Sequence, residues 1–205
     1  MTRVAVVGGG LAGLVAARHL ATAGADVELY EREATVGGRV RTDHEDGFTF
    51  DRGFQVLFTA YPAAKRELDY DSLDLRRFTP GAVIARRGQR SVLSDPLRDP
   101  GSLTETLFNR EVRFADKLRV FALQRELRHK DERDILDARD TDIESYLADR
   151  GFSRRFVENF AAPFYGGITL DRSLSTSSLV FEYTFKMLSA GNIAVPARGM
   201  GAISD

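Results

Sequence analysis

An apolar run, a glycine turn and a distant acid constrain this chain more than any other feature in it. Val4, Ala5, Val6 and Val7 carry no polar side chain, and Gly8, Gly10 and Gly13 follow at the spacing Gly-x-Gly-x-x-Gly. A short unbroken apolar run predicts a strand buried on both faces of a parallel sheet. The first glycine allows a tight turn, the second lets a pyrophosphate approach the backbone, and the third lets helix and strand pack closely. A helix over Leu11 to Ala23 is expected next, its N-terminal N–H groups and positive dipole end aimed at that phosphate. Gly24 stops it, and Asp26 to Tyr30 supply a second strand that ends at Glu31. That acid falls about 20 residues past the glycines, where a carboxylate reaches a ribose diol. Gly8, Gly10, Leu11, Ala12, Gly13 and Glu31 are therefore the first candidate cofactor residues. Arg32 raises the thought of a 2′-phosphate, but Glu31 beside it would repel one. A plain ribose is the expectation, with Arg32 solvated at the rim of the site.

A second glycine turn follows in Val36-Gly-Gly-Arg-Val-Arg-Thr42, and then comes Phe50-Asp-Arg-Gly53. Together with Glu31, these segments resemble the FAD-binding signature of the amine oxidase, protoporphyrinogen oxidase and phytoene desaturase superfamily. Far along the chain, Val195-Pro-Ala-Arg-Gly-Met-Gly-Ala-Ile203 resembles the segment by which that superfamily returns to its flavin from the substrate domain. The resemblance implies FAD as cofactor, with Gly8, Gly10 and Gly13 on the pyrophosphate and Glu31 on the adenosine ribose. It places Gly37, Gly38, Arg39 and Thr42 along the pyrophosphate and flavin side, and Asp51 and Gly53 in a turn near the flavin. It implies an α/β fold in which a Rossmann-like FAD-binding βαβ domain carries an inserted α+β substrate domain. The boundaries read as 1–60 for the FAD-binding segment, 61–193 for the insertion and 194–205 for the return segment.

Length complicates the picture. A doubly wound sheet needs a third strand beside the first, and only two are evident within the 205 residues. Two strands and a helix bury too little surface to stand alone. The expectation is a fragment truncated at its C-terminus, or one chain of a split enzyme that needs a partner chain or a missing C-terminal half.

In the middle of the chain, 61–68 reads as a short helix entered through Pro62, and 78–93 as a hairpin around Arg86-Arg-Gly-Gln-Arg90. From Ser102 the pattern turns helical, with Phe114, Leu118, Phe121, Ala122 and Leu127 tracing a partly apolar face. Further helices are expected over 142–150, from a Ser153 cap, and over 175–190 up to Gly191. Phe156, Phe160, Phe164, Tyr165, Phe181, Tyr183 and Phe185 are read mainly as core, some of them also walling a substrate channel. Gly166 and Gly167 are read as a break between helices.

Twenty-nine basic and thirty acidic residues leave a formal charge of −1, so no global field draws nucleic acid. The absence of cysteine excludes disulfides, thiolate metal sites and thiol catalysis. His19, His44 and His129 have no ligand spacing, and no metal is expected. No apolar run is long enough for a membrane span, and Met-Thr-Arg before Val4 leaves no room for a signal peptide. A cytoplasmic protein is expected, with peripheral membrane contact left open by the aromatic segment. The resemblance implies hydride removal from a small apolar substrate, such as a carotenoid precursor, a porphyrinogen or an amine, onto the flavin. The flavin carries that chemistry, so no catalytic acid or base is assigned. Two other readings stay open: an NAD(P)-dependent α/β dehydrogenase, against which the second glycine turn argues, and an inactive FAD-binding fragment.

Overall fold

A computed structural model describes residues 1–53, 56–86, 88–94, 98–99, 101 and 103–205. Arg87 of the expected hairpin turn and Ser102 at the expected helix start lie outside the described residues. The chain forms two compact units, residues 1–78 with 193–205, and residues 79–192.

In the first unit β1 (Arg3–Val7) pairs in parallel with β2 (Asp26–Tyr30), Val4 opposite Val27 and Val6 opposite Leu29. The link between them is α1 (Leu11–Thr22), which ends as Gly24 takes a positive φ of 86°. Burial of β1 is one-sided, contrary to the expectation of a strand covered on both faces. Val4 and Val6 are half-buried, while Ala5 is exposed and Val7 is 85% exposed. Helix α1 packs on the Val6 side, where Val6 Cγ1 lies 3.6 Å from the place of a Cβ at Gly13, and among the described residues β1 has no strand partner but β2.

A hairpin follows, β3 (Thr42–Glu45) against β4 (Phe48–Asp51). Asp46 and Gly47 make its turn with φ of 49° and 82°, the Asp-Gly solution for a two-residue loop whose twist matches the strands. Next, β5 (Leu57–Phe58), α2 (Pro62–Glu67) and β6 (Leu75–Arg77) lead to a three-stranded antiparallel sheet. Its central strand is β9 (Ile193–Pro196), between β5 and β6. Residues 61–78, which sequence reading groups with the inserted material, thus pair and pack within the first unit. The partner that holds them there arrives from more than a hundred residues downstream, beyond the reach of any local pattern.

The second unit opens with the expected hairpin, β7 (Ala82–Arg86) against β8 (Gln89–Leu93). Helices α3 (Leu103–Phe108), α4 (Phe114–His129), α5 (Glu132–Leu136) and α6 (Ile143–Asp149) follow. Asp142 caps α6 through Ser145 N–H, 2.7 Å from Asp142 Oδ1. Ser153 caps the next helix, its hydroxyl oxygen accepting from Phe156 N–H at 3.2 Å. That helix runs as α7 (Arg154–Phe156), a π-turn over Val157–Ala161, and α8 (Ala162–Thr169). The last helix, α9 (Ser178–Ala190), stops at Gly191 as expected.

Two expectations fail here, each for a packing reason. Gly166 and Gly167 do not break a helix; they lie inside α8. A Cβ at Gly166 would sit 3.0 Å from the Cα of Arg172, so the glycine lets the following loop fold back onto the helix. Phe114, Leu118 and Phe121 do not face the core either, being 59%, 56% and 51% exposed. The face that α4 buries instead carries Asp116, Leu123 and Leu127. Asp116 tolerates burial because it accepts from the N–H of Ser153 at 2.9 Å and from its hydroxyl at 2.5 Å.

The core of this unit gathers Val112, Leu123, Leu127, Ile135, Ile143, Leu147, Leu174 and the rings of Phe152, Phe156, Tyr165 and Phe181. The aromatic segment is core, as its spacing predicts. Tyr165 and Phe181 rings lie 4.5 Å apart, and Phe152 stacks on Phe156 at 4.6 Å. A buried polar cluster, invisible in the sequence pattern, sits beside it. Glu182 accepts from Lys130 Nζ at 2.8 Å and from Tyr146 hydroxyl at 2.5 Å, with Arg150 at 3.5 Å. Burial and the Glu182 carboxylate together push the Tyr146 hydroxyl far above the usual phenol range.

Candidate functional site: opposed glycine turns at the start of the first helix

The turn after β1 is built from backbone. Gly8 N–H donates to Tyr30 carbonyl at 2.7 Å, tying the end of β2 to the turn. A Cβ at Gly13 would overlap the carbonyl oxygen of Gly8 and fall 3.1 Å from its carbonyl carbon. Gly13 is what lets α1 begin directly against β1, the close packing expected of the third glycine. The N-terminus of α1 is bare: its N-cap is Gly10, with no side-chain cap and no acid in the first turn. Most helix starts satisfy their leading N–H groups with Ser, Thr, Asp or Asn. Here neither Gly10 nor the first turn brings a side-chain acceptor to that end.

The second glycine turn faces the first. Gly37 N–H donates to Gly9 carbonyl at 2.8 Å, and Gly10 and Gly37 form an isolated parallel bridge. A Cβ at Gly38 would lie 3.2 Å from the Cα of Gly10, whereas one at Gly10 would meet nothing nearer than Gly38 Cα at 4.0 Å. The two turns approach backbone to backbone, with no side chain between them. Arg39 follows at the surface.

Glu31 closes the same cluster. Its carboxylate accepts from Gly9 N–H at 2.6 Å and from Glu33 N–H at 2.9 Å. These two donors, Glu33 first, hold it below the ordinary carboxylate range and so keep it ionised. A carboxylate offers about four lone-pair sites, so acceptor capacity remains beyond these donors. Arg32 points away: its side chain is 92% exposed and pairs with Glu33 at 3.2 Å.

Thr42 and Asp51 meet elsewhere, in a knot with the return segment. Thr42 hydroxyl donates to Asp51 Oδ1 at 2.5 Å, and the same oxygen accepts Met200 N–H at 2.8 Å. Gly201 N–H donates to Thr42 Oγ1 at 2.7 Å. These bonds cap the 3₁₀ turn Met200–Ile203. A Cβ at Gly199 would fall 2.6 Å from Thr42 Oγ1, so the Gly-Met-Gly spelling is what lets the segment dock. Gly37 sits between knot and cluster, since its Cβ would fall 2.6 Å from Ser204 Oγ. The geometry thus assigns Asp51 and Thr42 to holding the return segment. Gly53 has φ of 82°, and among the described residues other than its chain neighbours no atom lies within 4 Å of where a Cβ would stand.

Sequence reading misses two members. Gly9 was hidden inside a run of three glycines, and Ser204 lies in a tail with no motif of its own. Among the described residues no group of three metal-ligating side chains occurs, and no helix is long and apolar enough to cross a membrane.

Comparison with known proteins places this geometry. The model of the family described as flavin containing amine oxidoreductase matches residues 11–205. Protoporphyrinogen oxidase 2, chloroplastic/mitochondrial, of Arabidopsis thaliana is 28% identical over 95% of this chain and 38% of its own length. A carotenoid 3,4-desaturase of Haloarcula japonica is 43% identical over 38% of this chain and 17% of its own length. Among solved structures, an oxidoreductase from Methanosarcina mazei matches 100% of this chain and 47% of its own with a TM-score of 0.66 at 21% identity. Putrescine oxidase bound to putrescine matches 99% and 47% with a TM-score of 0.60 at 21% identity. The chain spans less than half the length of each of these relatives.

Proposed function

Because this chain belongs to the flavin containing amine oxidoreductase family, we propose that its first unit holds the adenosine and pyrophosphate part of FAD in an oxidoreductase acting on an apolar substrate. The observation that carries this reading is the side-chain-free approach of Gly38 to Gly10 at the uncapped start of α1. A diphosphate there meets leading N–H groups of Gly10, Leu11 and Ala12 and the positive helix end. Glu31, kept ionised by Gly9 and Glu33, has acceptor capacity left for the ribose hydroxyls. A fixed carboxylate there disfavours a 2′-phosphate, in line with a plain ribose. Gly37, Gly38 and Arg39 would lie along the pyrophosphate and flavin side, as the family resemblance implies. Thr42 and Asp51 act through the return segment, which they anchor beside Gly37.

Bound FAD supplies the hydride acceptor, and the residues described above supply binding and orientation. An unsaturated or tetrapyrrole substrate is supported by the names of the sequence relatives, which are protoporphyrinogen oxidase and carotenoid desaturases. The exposed edge of β1 supports a further strand from additional sequence or a second chain, since a doubly wound sheet continues on that side. The activity of the whole protein belongs to this proposal.

Titration of the purified chain with FAD, and separately with NAD⁺ and NADP⁺, tests the reading by flavin fluorescence quenching and calorimetry. Saturable FAD binding weakened by G10A is expected. Preference for a nicotinamide dinucleotide would overturn it.

A further inference from the structure

The second glycine turn is soft, and the segment packed behind it is stiff. Gly37 and Gly38 follow one another with φ of 106° and 61°, and glycine gives up more backbone freedom on ordering than any other residue. The turn's own backbone bonds run from Gly37 N–H to Gly9 carbonyl at 2.8 Å and from Val40 N–H to Gly37 carbonyl at 3.0 Å. Neither bond involves Gly38, whose stance against Gly10 carries the cofactor reading. Something outside the turn has to fix it.

The return segment is anchored before it gets there. Strand β9 lies between β5 and β6, and Pro196 at its end has a ring-locked φ. Ala197 N–H reaches the carbonyls of Leu73 at 3.3 Å and Asp74 at 3.2 Å, and Gly199 N–H donates to Pro196 carbonyl at 3.0 Å. Met200 is buried at 5% exposure. The 3₁₀ turn that follows therefore arrives in a set position, and it meets the glycine turn at both ends. At the far end, Thr42 Oγ1 accepts Gly201 N–H at 2.7 Å while its own proton goes to Asp51. At the near end, Ser204 stands against the buried Gly37. Its hydroxyl donates to Gly201 carbonyl at 2.8 Å, which holds Oγ 2.6 Å from the place of a Gly37 Cβ. Gly38 lies between these two pinned positions.

We propose that the return segment is the brace that positions the second glycine turn for the diphosphate, with Ser204 and Thr42 as its positioning residues. This rests on the cofactor reading and extends it: the two side chains act on the ligand only through Gly37 and Gly38. All the residues involved belong to the first unit. Linkage follows from the arrangement. If docking of the segment improves diphosphate binding, diphosphate binding improves docking by the same factor.

ADP carries the adenosine and the diphosphate without a flavin, which makes it the probe. Bound to the full chain, it should slow hydrogen exchange at Met200 and Gly201, whose N–H groups are already taken by Asp51 and Thr42. In the ligand-free chain, T42V and S204V should speed exchange at Gly37 and Val40. Both variants should weaken ADP by about fivefold or more, the lower end of coupling between linked sites. T42S keeps the hydroxyl and should match the wild type in both measurements. A role confined to the return segment would change exchange at Met200 and Gly201 alone, leaving Gly37, Val40 and ADP affinity untouched, and that result would overturn the brace. So would bound ADP that fails to protect Met200 and Gly201 in the unaltered chain, where folding of a variant is not in question. A wild-type chain that binds neither ADP nor FAD overturns the cofactor reading and this inference together. ADP binding indifferent to T42V and S204V overturns the brace alone.

Discussion

Gly13 lies so close to Gly8 that a side chain at the first would overlap the carbonyl oxygen of the second. Gly10, three residues earlier, has room: a Cβ there meets only Gly38 Cα, at 4.0 Å. Two glycines of one motif therefore differ: the fold requires Gly13, whereas Gly10 is free to serve the proposed ligand. G13A should lower the thermal midpoint and flavin retention together. G10A should leave the midpoint nearly unchanged while weakening FAD by roughly tenfold or more, about 1.4 kcal/mol per factor of ten. Thermal unfolding and FAD titration of both variants separate the two roles; equal loss of stability in G10A would count against the ligand-side role.

Glu31 is held below the ordinary glutamate value of 4.5 by backbone donors from Glu33 and Gly9. Its ionised form is therefore favoured by the fold, and any stability it contributes is present above 4.5 and lost only as pH falls through its lower folded value. FAD affinity should stay flat as pH drops toward that ordinary value. E31Q should cost roughly tenfold in affinity, since charge-assisted bonds to a carboxylate are about twice as strong as neutral ones. Titrations at several pH values check both outcomes.

The knot of Thr42, Asp51 and the 3₁₀ turn gives a third expectation. T42V removes the acceptor of Gly201 N–H, and leaving a partly buried donor unmet costs about 1–2 kcal/mol. Hydrogen exchange at Met200 and Gly201 should speed up in T42V and D51N, while exchange in β1 and β2 stays as it was.

Glu67 ties α1 to α2. Arg66 donates to it at 2.6 Å, His19 approaches at 2.9 Å, and Arg18 pairs with it as well. These partners, Arg66 first, lower its pKa to about 2. Because the folded value is depressed, its stabilisation is complete above 4.5 and drains away as pH falls toward 2. E67Q should remove this component and flatten the acid limb of the stability curve between those values, as followed by circular dichroism.

In the second unit, E182A should be costly. It strands Lys130 and the Tyr146 hydroxyl in a largely buried setting, and breaking such a pair from one side costs about 3 kcal/mol. A thermal scan of the variant gives the number directly.

Local spelling determined the βαβ start, the hairpin of β7 and β8, the Ser153 cap and the helix that Gly191 ends. Each depends on steric or hydrogen-bond preferences within a few residues, which a sequence displays openly. The glycine spacing and Glu31 likewise marked residues that cluster at the start of α1, the place proposed for a diphosphate and a ribose. Only the tertiary structure decided that the glycine turns face each other, that Asp51 is spent on Met200, and that β9 holds residues 61–78 in the first unit. Those contacts join positions tens to more than a hundred residues apart, where no periodicity carries information. The face of α4 shows the same division. Its apolar residues were legible, but which side meets the core depended on Asp116 finding Ser153, a bond that exists only once the chain has folded.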